Sequence, residues 1–185
     1  MLRENVVGDV PQINSTSFVD PSAIIIGNVI IGNNCYIGPS VVIRADRFSV
    51  DDDVTKIEIG NNCGIQDLAV MHVHAGESLH ISNSTIINHG AIIHGPSTIG
   101  DRCFIGCKSV ITHSSLGNDV FVRSNAIIED VAIPDGRFVN ISMTLQNIES
   151  VEKLRPVTDA EKAFIQKAIN ENNEYAMRYK FSLER

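Results

Sequence analysis

The 185-residue chain contains no tryptophan, and aromatic residues make up only 5% of it. Small aliphatic side chains must therefore fill its core, which favours a narrow core over a wide one. No apolar run approaches the roughly eighteen residues that span a bilayer, and no apolar signal-peptide segment follows Met1. A net charge of −7 argues against a nucleic-acid or anionic-membrane partner. We therefore expect a cytoplasmic protein that binds neither nucleic acid nor membrane.

Cysteine is also scarce, and its four positions do not form a metal-binding motif. They are Cys35, Cys63, Cys103 and Cys107. Their spacing differs from that of a zinc ribbon, and small buried thiols are expected in a cytoplasmic protein more often than disulfides.

Aliphatic residues recur at every sixth position in the middle of the chain. They are Ile81, Ile87, Ile93, Ile99, Ile105 and Ile111. This hexapeptide period predicts an all-β fold, a parallel β-helix in which each unit supplies one short strand and one corner. Three units would close a triangular coil of about eighteen residues, with the aliphatic side chains pointing inward. A β-sandwich is disfavoured, because its strands and turns would not keep the aliphatic residues at a constant spacing of six over five consecutive units.

The spacing of polar residues predicts which side chains stack on each face. Arg44, Gln66 and Asn88 are 22 residues apart, one coil plus four residues, so we expect them on one face. The extra residues are assigned to the acidic stretch at 51–53 and to the loop at 74–80. By the same count, His72 stacks with His94 on a second face, and Asp67 stacks with His89.

This register indicates a metal site with an open coordination position. His72 and His94 share a face and can share an ion, whereas His89 lies round a corner and could reach the histidine pair of a neighbouring subunit. Three such triangular β-helices, one from each subunit, would form three equivalent sites when packed side by side, as in a cyclic homotrimer. Three imidazoles leaving one position free favour metal-assisted hydration or hydrolysis. His80 and His113 are interpreted as surface histidines.

The C-terminal segment has a different pattern. Residues 1–157 are assigned to the β-helix and its capping turns, which include the turn at 133–136. A capping box from Thr158 to Glu161 predicts a helix over 158–185, packed along the β-helix. Its apolar stripe is Ile165, Ala168, Ile169, Tyr175, Ala176 and Tyr179. Asn172 lies on that stripe, either as an interface amide or as a group pointing at the coil faces.

Three segments together resemble the gamma-class carbonic anhydrases. They are Arg44-Ala45-Asp46, the Gln66-Asp67 pair followed by His72, and the run from Asn88 to Pro96 that contains His89 and His94. The methanogen-type enzyme and the N-terminal domain of carboxysome scaffold proteins share this pattern, and the resemblance covers about residues 15–180. It implies a left-handed β-helix homotrimer with metal at the subunit interfaces and reversible hydration of CO2 to bicarbonate. The implied metal is Zn²⁺, with Fe²⁺ or Co²⁺ as alternatives.

The resemblance also implies a role for each matching residue. His72, His89 and His94 would be the metal ligands, and Gln66 would position the metal-bound hydroxide or bicarbonate. Arg44, beside Asp46, and Asp67 would form the pair that bridges subunits. Asn172 matches an asparagine that contacts bicarbonate in the family.

Two departures from the family pattern concern proton export. Arg47 stands where the methanogen-type enzyme has glutamate, and the long acidic loop after the first ligand is reduced here to residues 72–78. Ala75 occupies the position of the shuttle glutamate. His74 and Glu77 are candidate substitutes, and turnover limited by proton release should be rescued by external buffer.

Three other functions remain open at this point. A hexapeptide-repeat acyltransferase would share the fold and the trimer, but would use one catalytic histidine and bind acyl-CoA. A low-activity scaffold could keep the metal site without the shuttle. A related metal-dependent thioesterase is the third alternative, because fold does not determine function.

Overall fold

The computed structural model describes residues 1–46 and 55–183, and Arg47 and the acidic stretch at 51–53 lie outside the described residues. The chain winds into a parallel β-helix of about seven turns followed by a C-terminal helix. This confirms the hexapeptide β-helix predicted from the sequence, for which the left-handed form is also supported.

The strands are short, as the six-residue unit requires. Those before residue 47 are β1 (Leu2–Arg3), β2 (Gln12–Ile13), β3 (Phe18–Val19), β4 (Ile24–Gly27), β5 (Val29–Ile31), β6 (Tyr36–Ile37) and β7 (Val42–Ala45). The middle of the chain forms β8 (Lys56–Ile59), β9 (Gly64–Ile65), β10 (Val70–His72), β11 (Ser78–Ile81), β12 (Ile86–Ile87), β13 (Ile92–His94) and β14 (Ser97–Ile99). The later strands are β15 (Phe104–Ile105), β16 (Val110–Thr112), β17 (Ser115–Leu116), β18 (Phe121–Val122), β19 (Ile127–Glu129), β20 (Ala132–Ile133), β21 (Phe138–Val139) and β22 (Thr144–Leu145).

Parallel pairing of every third strand gives the prism its faces. Sheet A runs β1-β4-β7-β10-β13-β16-β19-β22, sheet B runs β2-β5-β8-β11-β14-β17-β20, and sheet C runs β3-β6-β9-β12-β15-β18-β21. Inward side chains stack from coil to coil, as in the column Ile43, Met71, Ile93 and Ile111, all fully buried. Each such side chain contributes about 1.5–3 kcal/mol by burial. The six regularly spaced isoleucines noted above are likewise buried, which confirms that their side chains point into the core.

The register corrects one prediction. Arg44 pairs with His72 on sheet A, a step of 28 residues, and does not stack with Gln66 and Asn88. The insertion between β7 and β8 adds ten residues to a coil of eighteen, where four had been assumed. Gln66 and Asn88 do stack, one coil apart, because the second insertion, before β11, adds four residues.

Two helices follow the coils. The short α1 (Ile148–Glu152) precedes α2 (Asp159–Leu183). The predicted capping box is present: the Glu161 carboxylate accepts from the Thr158 backbone amide at 2.8 Å, and the Glu161 amide donates to the Thr158 hydroxyl at 3.3 Å. Helix α2 packs on sheet C and runs back along the prism, with Ile165 and Ile169 in one apolar cluster and Ala176 in another beside Phe18.

The three faces therefore differ in character. Sheet C is covered by α2, and sheet B presents mainly polar side chains such as Glu58, His80 and Thr98. Sheet A carries two outward columns. The apolar column is Ile24, Val42, Val70, Ile92, Val110 and Ile127, and the polar column includes Arg44, His72, His94 and Thr112. No helix in the described ranges is long and apolar enough to cross a membrane.

Candidate metal centre

The register of sheet A places two of the predicted ligands side by side. His72 on β10 pairs with His94 on β13, and both point outward because Met71 and Ile93 point into the core. His72 Nδ1 and His94 Nε2 are 3.0 Å apart. His94 Nδ1 also lies 2.9 Å from the carbonyl oxygen of Gly95, which fixes the orientation of its ring. Two imidazoles held this close can share one ion.

Unsatisfied atoms beside this pair fit a cation. His72 Nε2 is buried and has no hydrogen-bond partner among the described residues, and the same holds for Oδ1 of Asp46, 3.8 Å away. Burial, together with the charge of His94 and Arg44, lowers the pKa of His72 from its ordinary value. The neutral imidazole, which is the form that binds metal, is therefore favoured near neutral pH.

A third histidine adjoins the pair. One ligand atom each from His72, His74 and His94 lies within 4.8 Å of the others. The ring centroids of His74 and His94 are 4.6 Å apart, and those of His74 and His72 are 5.6 Å apart. The prediction had treated His74 only as a substitute proton shuttle. The His-x-His spacing was the available signal, because residues i and i+2 of an extended chain point to the same side.

Arg44 lies next to His72 in the same column. Its Nε and Nη2 donate to Oδ2 of Asp46 at 3.0 and 2.6 Å. A carboxylate neutralised by this guanidinium sits beside the histidines, so Asp46 can accept a hydrogen bond or help hold a cation with its second oxygen.

The other predicted residues lie at the corner between sheets C and A. His89 is in the turn after β12, with Nδ1 3.6 Å from Oδ2 of Asp67. Gln66 donates from Nε2 to Oδ1 of Asn172, and Asn172 donates from Nδ2 to the Ala168 carbonyl at 2.8 Å. Gln66 and Asn172 are therefore brought together, as are His89 and Asp67.

A glycine makes this contact between helix and sheet feasible. A Cβ atom on Gly64 would lie 2.5 Å from Oδ1 and 2.6 Å from Cγ of Asn172. The backbone of β9 and the side chain from α2 approach each other closely only because this position has no side chain.

One chain thus holds two separate groups. His72 and His94 lie with Arg44 and Asp46 on sheet A, whereas His89 belongs to the corner group and lies outside the histidine cluster. Arg44 is paired with Asp46 and not with Asp67.

Known proteins place the chain in a family. The carbonic anhydrase of Methanosarcina thermophila is 30% identical over 183 residues, covering 85% of this chain and 72% of that protein. The chain belongs to the hexapeptide-repeat family that includes this carbonic anhydrase. A family model described as bacterial transferase hexapeptide (six repeats) matches residues 11–45.

Other members of the hexapeptide-repeat family are also similar. The carboxysome assembly protein CcmM of Nostoc is 33% identical over 171 residues, 87% of this chain, and the chain spans 30% of the length of that protein. The crystal structure of a hexapeptide transferase family protein from Anaplasma phagocytophilum superposes with a TM-score of 0.81 at 26% identity, covering 97% of this chain and 98% of that one.

Proposed function

We propose that this protein is a metal-dependent carbonic anhydrase that reversibly hydrates CO2 to bicarbonate at sites between the subunits of a homotrimer. The observation that carries the proposal is the separation of its residues into two outward groups. His72 and His94 lie in register on sheet A, where Nε2 of His72 is buried and has no partner among the described residues, and His89 projects from the adjacent corner beside Asp67. A neighbouring subunit that contributes its corner to sheet A completes the three-histidine set.

The outer surface of sheet A supports such an assembly. Its apolar column runs beside the histidines over six coils, and Ile24, Ile92 and Ile127 are 37–42% exposed in a single chain. Exposed apolar stripes of this length mark protein contacts. A second copy of the chain is the natural partner, because it carries the residues that the site lacks.

The fit of the residues defines their roles. His72 and His94, with His89 of the neighbouring subunit, would hold Zn²⁺, Fe²⁺ or Co²⁺. The chemistry that such an ion supplies when bound is Lewis-acid activation of water near neutral pH. The Gln66 amide orients the nucleophile and the bicarbonate product by hydrogen bonding, and Asn172 fixes the rotamer of that amide. Arg44 and Asp67, which contact Asp46 and His89 within one chain, would also pair with each other across the interface and lock the two groups in place.

Acyl transfer is the second candidate, because the similar Anaplasma structure is that of a hexapeptide transferase family protein. A scaffold role is the third, because the chain matches part of a carboxysome assembly protein. Neither explains why two histidines lie in register beside Oδ1 of Asp46, a buried oxygen that has no partner in the part of the chain that the structure describes.

The deciding experiment is stopped-flow CO2 hydration on protein prepared without oxygen and loaded separately with Zn²⁺ and Fe²⁺. We expect metal-dependent hydration that His89→Ala abolishes, while His80→Ala, on sheet B, leaves it unchanged. A trimer at full metal occupancy that hydrates no CO2 would reject the activity, and acyl-CoA binding by that protein would favour acyl transfer.

A further inference from the structure

We infer that His74 completes a three-imidazole metal site with His72 and His94 inside a single chain, so that a divalent transition-metal ion can bind without the neighbouring subunit. The inference rests on the proposed function only in that His72 and His94 are metal ligands. It adds an order of events, because His74 would hold the ion until His89 of a neighbour takes its place and leaves one coordination position open.

Proximity and orientation support the assignment. Among the described residues, these three histidines are the group of side chains close enough together to hold one metal ion, with one ligand atom of each within 4.8 Å of the others. Donor atoms of a tetrahedral zinc site lie about 3.3 Å apart, given metal–nitrogen distances near 2.0 Å. Small rotations of the rings suffice to reach that geometry, since His72 Nδ1 and His94 Nε2 are already 3.0 Å apart.

The second observation is the orphaned nitrogen. His72 Nε2 is buried without a partner among the described residues. When Nδ1 binds an ion, Nε2 carries the proton and can donate it toward Oδ1 of Asp46, 3.8 Å away, which would recover the roughly 1–3 kcal/mol that an unsatisfied nitrogen costs. The same histidine contacts both other rings of the group edge-on, with centroids at 5.0 and 5.6 Å.

The backbone of His74 is held in place although its side chain is exposed. Its amide donates to Oε2 of Glu77 at 3.0 Å, and its carbonyl accepts from the amide of Glu77 at 3.1 Å. Gly76 donates to the hydroxyl of the buried Thr55 at 2.9 Å, which ties the loop to the preceding coil. A ligand on a closed, anchored turn loses little entropy on binding. His113 is less suited, since its ring centroid is 6.3 Å from that of His94 and its Nε2 faces Glu77 at 3.9 Å.

Cobalt binding tests the inference without any assay of activity. Co²⁺ would be titrated into three variants and followed by its visible ligand-field absorption, with affinities fixed by a competing chelator. His89→Ala removes the ligand from the neighbouring subunit, and His74→Ala/His89→Ala also removes the proposed one. His80→Ala/His89→Ala is the matched control, because His80 is an exposed histidine on sheet B.

We expect His89→Ala and its His80 control to bind one Co²⁺ per chain with the same affinity, and the His74 double variant to bind roughly tenfold more weakly or worse. Equal affinity of the two double variants would overturn the inference. So would failure of a folded His89→Ala chain to bind Co²⁺. Where His89→Ala does not fold, Ile92→Glu, which should separate the subunits, takes its place with and without His74→Ala.

The outcomes also separate this inference from the proposed function. A His89→Ala chain that binds cobalt through His74, together with wild-type protein that hydrates no CO2, would retain the single-chain site and lose the activity. If the protein hydrates CO2 but His74→Ala leaves its metal affinity unchanged in every variant, only the single-chain site would be rejected.

Discussion

Gln66 and Asn172, 106 residues apart in the chain, are joined by a hydrogen bond from the amide of Gln66 to the side-chain oxygen of Asn172. The bond links the corner of the β-helix to α2, and Asn172 in turn donates to the Ala168 carbonyl one turn earlier. The C-terminal helix therefore sets the orientation of a side chain in the candidate site.

Asn172→Ala should lower kcat/KM for CO2 hydration by about tenfold, because Gln66 loses the partner that fixes its amide, equivalent to about 1.4 kcal/mol. Metal content should not change, since the Asn172 side chain bonds to Gln66 and to the Ala168 carbonyl rather than to a histidine. Asn170→Ala, at an exposed position two residues away, is the control. Unaltered kcat/KM in the Asn172 variant would show that Gln66 is oriented by other groups.

Gly64→Ala should destabilise the protein by about 1–3 kcal/mol, because its Cβ would overlap the Asn172 side chain. Adding Asn172→Ala removes that overlap, so the double variant should recover part of the loss. A double-mutant cycle from urea unfolding measures this coupling. Simple additivity of the two changes would contradict the close approach of β9 and α2.

Sequence periodicity was sufficient for the parts of the fold that repeat. The inward isoleucines, the pairing of His72 with His94 and the cap at Thr158 were all predicted and are confirmed. The position of Arg44 was wrong, because equal spacings of 22 residues mimic stacking when an insertion has unknown length. The actual insertion before β8 adds ten residues and moves Arg44 next to His72.

Side-chain proximity across the fold was harder to predict. The contact between Gly64 and Asn172 depends on where α2 lies along sheet C, which no local pattern specifies. The sequence predicts His74 only as a candidate proton carrier, yet its ring lies against His94 because the loop turns back at Glu77. The roles assigned to His89, Arg44 and Asp67 stay predictions, since they require a second subunit.

Ile92→Glu should convert the assembled protein to monomers. Ile92 lies in the middle of the apolar column of sheet A and is 42% exposed in one chain. A carboxylate there would be buried without a partner in the proposed interface, at a cost of several kcal/mol. Light scattering after size-exclusion chromatography reads out the mass, with Thr98→Glu on sheet B as the control. A trimer that survives Ile92→Glu would place the subunit contact on another face.

Stability at acid pH should depend on Glu161. Hydrogen bonding to Arg155, reinforced by the Thr158 cap, lowers the pKa of Glu161 to about 2. A carboxyl whose pKa is lower in the folded protein stabilises it above the pKa of the unfolded chain, about 4.3, and this contribution disappears as pH falls towards 2. Glu161→Gln should therefore lower Tm at pH 7, and the difference from wild type should shrink below pH 4.5. The control is Glu171→Gln, on the exposed side of α2. A difference in Tm between Glu161→Gln and wild type that stays constant from pH 7 to pH 3 would mean that the charge of Glu161 is not involved.

Proton export should limit turnover, because Ala75 stands at the position of the family's shuttle glutamate and cannot carry a proton. The loop is a short turn, closed over four residues by the backbone bond from Glu77 to His74. Raising the concentration of imidazole buffer at fixed pH and ionic strength should therefore increase kcat and leave kcat/KM unchanged, since CO2 hydration itself precedes proton release. The same titration on Ala75→Glu is the matched test: restoring a carboxylate should raise kcat at low buffer and flatten its buffer dependence. A wild-type kcat that is already independent of buffer would mean that an internal group carries the proton efficiently.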